Sequence, residues 1–205
     1  MLTVDLVPGN TVSVYVSAKG GGSENKAKFA VLNPSDSVAD WVVDTVEKLG
    51  AGWCPPGILG IGVGGSSDRA MAMAKKALND PLDMQALLKN GPQNKSEELR
   101  IEIYERVNAL GIGAQGLGGV TTVLDVKIKS FPTHAASLPV GLIPNCAATR
   151  HLHFTLDGTG IPNFQTPDLA AWPEILLDEA NKNARRVDVD NLNEETLASL
   201  KIGET

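Results

Sequence analysis

Apolar and polar residues alternate from Thr11 to Ala18, with Val12, Val14 and Val16 set against Ser13, Tyr15 and Ser17, the period of a half-buried strand. Pro8-Gly9-Asn10 ahead of it is a turn, which predicts a β-hairpin with Leu2 to Leu6. The period then lengthens. Val38, Trp41, Val42, Thr45, Val46 and Leu49 recur at helical spacing and stop at Gly50, with Ser35 or Asp36 as the expected N-cap and Gly50 just past the end. The short apolar run Ile58 to Val63 reads as a strand, Asp68 to Leu78 as a helix, and Ser96 to Leu110 as another helix, opened by the capping-box-like Ser96-Glu97-Glu98-Leu99. Asn90 to Asn94 between them reads as a loop. Val120 to Ser130 alternates as a long strand, Val140 to Ile143 leads towards Cys146, and His153 to Leu156 is one more strand. Trp172 to Lys182 and Asn193 to Lys201 read as helices, with 183–190 connecting them. Strands alternating with helices predict an α/β (α+β) fold: a mixed sheet flanked by helices, with an N-terminal β-hairpin.

Composition narrows the function classes. At 205 residues and 42% hydrophobic content the chain can bury a core as one domain, or at most as two closely packed lobes. A formal net charge of -6 without a run of like charge argues against non-specific binding to nucleic acid or to an anionic membrane, so an anionic ligand needs a local basic pocket. No apolar stretch approaches the roughly 20 residues that span a bilayer. Met1 to Asn10 lacks the basic start and apolar run of a signal peptide, and two cysteines are too few for a disulfide scaffold. A cytosolic or similarly reducing compartment is expected.

Those cysteines lie in constrained runs, Gly50-Ala-Gly-Trp-Cys54-Pro-Pro-Gly57 and Ile143-Pro-Asn-Cys146-Ala-Ala-Thr-Arg-His151. Free thiol, metal ligand and nucleophile all stay open. A nucleophile would want a histidine base, for which His134 is a candidate; His134, His151 and His153 form no H-x-x-x-H or H-E-x-x-H metal motif. Gly20-Gly21-Gly22 could bind an anion through backbone N–H groups, with Lys19, Lys26 and Lys28 adding positive charge; it could equally be a flexible strand end with solvated lysines. Gly60, Gly62 and Gly65 satisfy G-x-G-x-x-G. Pro55-Pro56 leave too few apolar residues ahead of them for a dinucleotide-binding strand, which favours a tight strand-to-helix turn. Gly111 to Gly119 holds five glycines in nine residues, a loop that needs a packing or ligand reason.

Taken together, Ala18-Lys-Gly-Gly-Gly-Ser-Glu-Asn-Lys26, Gly52-Trp-Cys-Pro-Pro-Gly57, Gly64-Gly65, Ala109-Leu-Gly-Ile-Gly-Ala-Gln-Gly116, Pro132-Thr-His-Ala-Ala-Ser137 and Ile143-Pro-Asn-Cys-Ala-Ala-Thr-Arg150 resemble the class I, iron-sulfur-dependent fumarate hydratases and the related L-tartrate dehydratases. The resemblance runs from about Val12 to Leu156 in unbroken order. It implies a hydro-lyase that reversibly hydrates fumarate to (S)-malate, or acts on L-tartrate, at the open iron of a 4Fe-4S cluster. Cys54 and Cys146 match two of the three cluster cysteines, Gly20, Gly21 and Gly22 a substrate carboxylate contact, and His134, twelve residues before Cys146, a histidine near the substrate. The family's upstream Cys-Gln-Asp-Thr-Gly motif, which carries the first cluster cysteine, has no counterpart here, nor has its C-terminal swivelling domain. The resemblance therefore implies that residues 1–182 are a cluster- and substrate-binding core, that 183–205 connect to a further domain, and that the chain alone is an incomplete enzyme. It also implies a homodimer and partners that carry the missing parts. A non-catalytic subunit or dimerisation module is the rival reading, and a cysteine hydrolase a more distant one.

Overall fold

The computed structural model describes residues 2–148, 150–162, 164 and 187–200. Two of its elements form an antiparallel ribbon, β1 (Val12–Ala18) and β6 (Arg150–Leu156), in register from Val12 opposite Leu156 to Ala18 opposite Arg150. The remaining strands form a four-stranded mixed sheet in the order β2 (Lys28–Leu32), β5 (Leu138–Cys146), β3 (Gly57–Gly64) and β4 (Val123–Phe131). Only β3 and β4 run parallel. The α+β architecture with a mixed sheet and a two-stranded ribbon at the N-terminus is as the patterning predicts, but β1 takes β6 as its partner, and residues 2–11 form no strand.

Helices cover both sheet faces. α2 (Val38–Leu49) and α5 (Lys95–Ala109) lie on one, where Val42, Val46, Ile103 and Val107 close over Leu59, Ile61, Val126, Val140 and Leu142. α3 (Ser67–Ala77) lies on the other, over Ile58 and Ile143. Its approach is close because three positions of the sheet beneath it, Gly60, Gly62 and Gly141, carry no side chain. A Cβ on Gly60 or Gly62 would collide with the Ala74 or Ala70 carbonyl oxygen, and one on Gly141 would press on Met71 and Ala70. The G-x-G-x-x-G run is thus explained by packing: Gly60 and Gly62 admit the helix, and Gly65, at φ 70°, makes the strand-to-helix turn.

Local capping departs from expectation in small ways. Ser37 caps α2, accepting from the Asp40 N–H at 3.1 Å, in place of Ser35 or Asp36. Asn94 caps α5, and Glu97 reaches back to the Gln93 N–H at 2.6 Å, so the capping box sits two residues earlier than Ser96. The short helix α4 (Met84–Asn90) is not visible in the periodicity, because its N-terminal N–H groups are satisfied from far along the chain. Asp125 on β4 accepts from Asp83 and Met84 at 2.8 and 3.1 Å, and also faces Arg100 and Lys127. Asp125 and Lys127 are almost wholly buried, with side chains 1% and 4% exposed, so the cluster holds its charges by mutual pairing. In the C-terminal stretch a 3-10 turn (Val189–Asn191) precedes α6 (Glu194–Ala198), capped by Asn193. The helix expected at Trp172 to Lys182 lies outside the described residues. No described helix is long and apolar enough to cross a membrane.

Two stability effects follow. Asp125→Ala strands Lys127 and the first N–H groups of α4, so urea titration should show a loss of about 3–5 kcal/mol; a loss below about 1 kcal/mol would remove the cluster from the account. Burial pushes the Asp83 carboxyl up, but hydrogen bonds from Arg100 and Lys127 hold it below its usual value. Its contribution is present at neutral pH and fades as pH falls through that lowered value, so Asp83→Asn should flatten the acid limb of the pH–stability curve. A limb of unchanged slope would contradict this.

Candidate functional site

Four of the conspicuous motifs meet at one end of the sheet. The segment between α2 and β3 is anchored by Trp53, which is fully buried; among the described residues its Nε1 is a buried side-chain polar atom without a partner. Next to this anchor Cys54 is exposed and holds a left-handed backbone, φ 59°. That conformation is uncommon for a residue with a side chain, and here the Cys54 N–H closes a tight turn onto the Ala51 carbonyl at 2.9 Å. Pro55 and Pro56, joined by a cis bond, follow.

Prolines have a carbonyl to offer and no N–H, so this loop takes its donors from its neighbours. Pro55 O accepts from the Gln115 N–H at 2.6 Å, and Pro56 O from the Ala147 N–H at 3.1 Å. The first bond attaches the glycine-rich loop. There Gln115 is, among the described residues, the other non-glycine residue with positive φ, 55°, and a Cβ on Gly116 would lie 2.6 Å from the Ala51 Cβ. The second bond attaches the exit of β5, where Cys146, half-buried, pairs in register with Gly57. Cys54 therefore lies three residues from the strand position that faces Cys146. Both thiols are free.

The triple glycine completes this end. With Gly20 as N-cap it opens a single helical turn, α1 (Gly21–Glu24), where the sequence left an anion-binding run or a flexible strand end open. Buried Ser23 pins it, donating to Gly20 O at 3.1 Å and accepting from Lys19 Nζ at 2.8 Å. Glu24 bridges Lys19 and Lys75 of α3, and the Lys75 hydrogen bond holds its carboxyl below the usual range. Burial lowers the Lys19 pKa despite Glu24. Gly22 abuts the cysteine loop: a Cβ there would be 3.2 Å from Gly52 O.

His134 is elsewhere. Its loop joins β4 to β5 beside Gly64 and Gly65, where Thr133 Oγ1 donates to Gly65 O at 3.0 Å and His134 Nδ1 accepts from the Ala136 N–H at 3.1 Å. β3 runs from the Gly57 end to the Gly64 end, so the length of a strand, roughly 20 Å, separates His134 from the thiols of its own chain. His134 is thus no base for Cys54 within one chain, and the cysteine-hydrolase reading loses its partner. His151 and His153 lie on the ribbon, the latter stacked on Tyr15 at 4.1 Å between ring centroids, and burial lowers the His151 pKa. Among the described residues no group of three or more His, Cys, Asp or Glu could hold a metal ion. The soft donors this end of the sheet offers are two thiols, Cys54 exposed and Cys146 half-buried, and sulfur of this kind suits iron-sulfur chemistry.

The comparison with known proteins agrees with these motifs. A family model described as Fumarate hydratase (Fumerase) matches residues 1–155. The chain belongs to this family. Among its curated relatives, the putative L(+)-tartrate dehydratase subunit alpha of Methanocaldococcus jannaschii is 41% identical over 145 residues, covering 68% of this chain and 48% of that protein. The L(+)-tartrate dehydratase subunits alpha of Escherichia coli strain UTI89 and Shigella sonnei are each 32% identical, over 153 and 155 residues, covering 73% of this chain and 49% of theirs. The chain thus spans about half the length of the relatives it matches. Family membership makes it part of a hydro-lyase family, four of whose motifs the fold gathers into one corner while the His134 and Gly64-Gly65 motifs lie at the other end of the sheet.

Sequence patterning singled out neither Gln115 nor Lys26 in that corner. Gln115 gave no signal beyond its place among glycines, and Lys26 was one of three nearby lysines. Solvent access separates the thiols: iodoacetamide followed by peptide mapping should modify exposed Cys54 several-fold faster than half-buried Cys146. Equal rates, or a faster Cys146, would contradict the loop geometry.

Proposed function

We propose that this chain is the cluster- and substrate-binding domain of a hydro-lyase that adds water to, or removes it from, a four-carbon dicarboxylate. The convergence of Cys54, Cys146 and the Gly20–Gly22 turn at one end of the sheet, within a family-matched segment, supports this reading. Cys54 and Cys146 are two thiolate ligands of a 4Fe-4S cluster, and the third comes from outside the chain. When bound, the cluster supplies an iron with an open position that polarises a hydroxyl or water as a Lewis acid. The chain's own residues bind and orient. The Gly20, Gly21 and Gly22 turn, with no side chain in the way, takes a substrate carboxylate, and the clamped loop presents Cys54 to solvent.

His134 serves a second copy of the chain. It is a sheet's length from the thiols of its own chain, so it reaches substrate only across a homodimer, where it stands in the partner's site. Residues 1–182 form the domain, and 183–205 lead towards a further one that carries the remaining acid–base groups. Fumarate and (S)-malate are the substrates the family name suggests. The names of the relatives favour L-tartrate, and with it partner subunits, as the second reading.

The test is anaerobic iron-sulfur reconstitution of the protein with its natural flanking or partner segments, followed by dehydratase assays on (S)-malate and L-tartrate. Turnover of one of them, abolished in Cys54→Ala and Cys146→Ala, is expected. An iron-loaded assembly inactive on both would overturn the assignment. His134→Ala should lower activity by roughly tenfold to a thousandfold, in keeping with the loss of a single group near substrate. An equal mixture with a Cys54→Ala chain should recover part of it. No recovery would remove the cross-subunit role.

A further inference from the structure

The two edges of the four-stranded sheet are finished differently. The outer edge of β4 is closed by side chains of α5: Arg100 Nε donates to Val126 O at 2.6 Å, Asn108 Nδ2 donates to Val123 O at 3.2 Å, and Asn108 Oδ1 accepts from the Val123 N–H at 2.9 Å. Nothing comparable guards β2 at the other edge. Among the described residues, no hydrogen bond reaches the backbone of Lys28 to Leu32 except from β5. The side chains along this open edge are also uncovered. Phe29 pairs with Gly141, which lies beneath α3, so Phe29 and Val31 stand on the α3 face, and they are 41% and 56% exposed. Leu32 points to the opposite face and packs on the core. An unpaired edge that carries apolar side chains is a template for a further strand.

We infer that β2 is the surface through which two copies of the chain pair, edge to edge and antiparallel about a two-fold axis at Ala30, joining their sheets into one; this rests on the homodimer reading above. The edge is complementary to itself. A two-fold perpendicular to the sheet keeps the faces aligned, so Phe29 lies opposite the partner's Val31 on the α3 face, an aromatic against a β-branched side chain. Lys28 lies opposite the partner's Leu32 on the other face. Leu32 leads into a turn where Asp36 accepts from the Asn33 N–H at 2.8 Å and from its Nδ2 at 3.1 Å, which holds an exposed carboxylate at the end of the strand. Lys28 is exposed as well, and neither forms an ion pair among the described residues of its own chain, so the pairing sets each Lys28 beside the partner's Asp36. The direction also suits the site. β2 and β3 are both antiparallel to β5, so β2 runs from the thiol end towards the His134 end. Reversal by the two-fold puts the His134 end of one copy beside the thiol end of its partner, as a cross-subunit role for His134 requires. Closed β4 edges stop the growth at two copies. Five residues a side make a small interface, so the pairing belongs to roughly micromolar concentrations.

Sedimentation velocity of the full chain over a concentration series from about 1 to 200 μM tests this, with circular dichroism as the check on folding. The parent should pass from monomer to dimer. Phe29→Lys combined with Val31→Lys places lysines opposite each other across the axis and should weaken the dimer by roughly tenfold or more, whereas Leu82→Lys, an exposed apolar residue away from the edge, should leave it unchanged. Lys28→Asp and Asp36→Lys should each weaken the dimer, and the double exchange should restore it, a recovery that local damage to the fold would not produce. A dimer that persists in the Phe29→Lys, Val31→Lys chain, an equal loss in Leu82→Lys, or a double exchange no better than its single variants would overturn the β2 interface and leave the homodimer reading standing. A parent that stays monomeric throughout would overturn both.

Discussion

The candidate site depends on two carbonyl groups. Pro55 and Pro56 offer acceptors without donors, and the N–H groups that reach them come from Gln115 and Ala147, one on each side of the cysteine loop. These bonds join three segments that are distant in sequence: the loop after α2, the glycine-rich loop after α5, and the end of β5. Trp53 holds the same loop from beneath. Gly57 is needed there because a Cβ would collide with the Asn145 carbonyl oxygen and press within 2.8 Å of the Trp53 ring. Cys54 can therefore keep a strained backbone and still occupy a fixed position.

The two ends of the sheet carry different chemistry. At the Gly57 end are thiols, a triple-glycine turn and lysines; at the Gly64 end are His134 and the turn into α3. Antiparallel pairing of β3 with β5 creates this division, since it returns the chain from the histidine loop to Cys146 across the full sheet. Twelve residues in sequence thus become the length of a strand in space. The same return lays the entry and exit strands of the family-matched region side by side in the ribbon, Val12 opposite Leu156.

Periodicity made the well-ordered core legible. The apolar spacing of Val38 to Leu49 matches α2 from end to end, because burial of one face and a glycine stop are both local signals. Strand β2 was silent: Lys28 and Phe29 are exposed at a sheet edge and blur the alternation. Helix α4 was silent because its cap, Asp125, comes from another element. Residues 2–6 alternate like a strand, yet β6 supplies the pairing for β1 from the far end of the described domain. The site was legible as motifs, which carried the family, but not as geometry: nothing in the spacing says that Gly22 touches Gly52, that Lys26 crosses the same glycine, or that His134 stands apart from both thiols.

Cys54 and Cys146, at one end of the sheet, are expected to face one shared space. Titration of the reduced chain with phenylarsine oxide, which bridges two thiols only when they are neighbours, tests it most directly. One equivalent should block both thiols, and Cys54→Ala or Cys146→Ala should abolish the tight, dithiol-type binding. Two thiols that stay free at one equivalent, or that react independently of each other, would contradict the account.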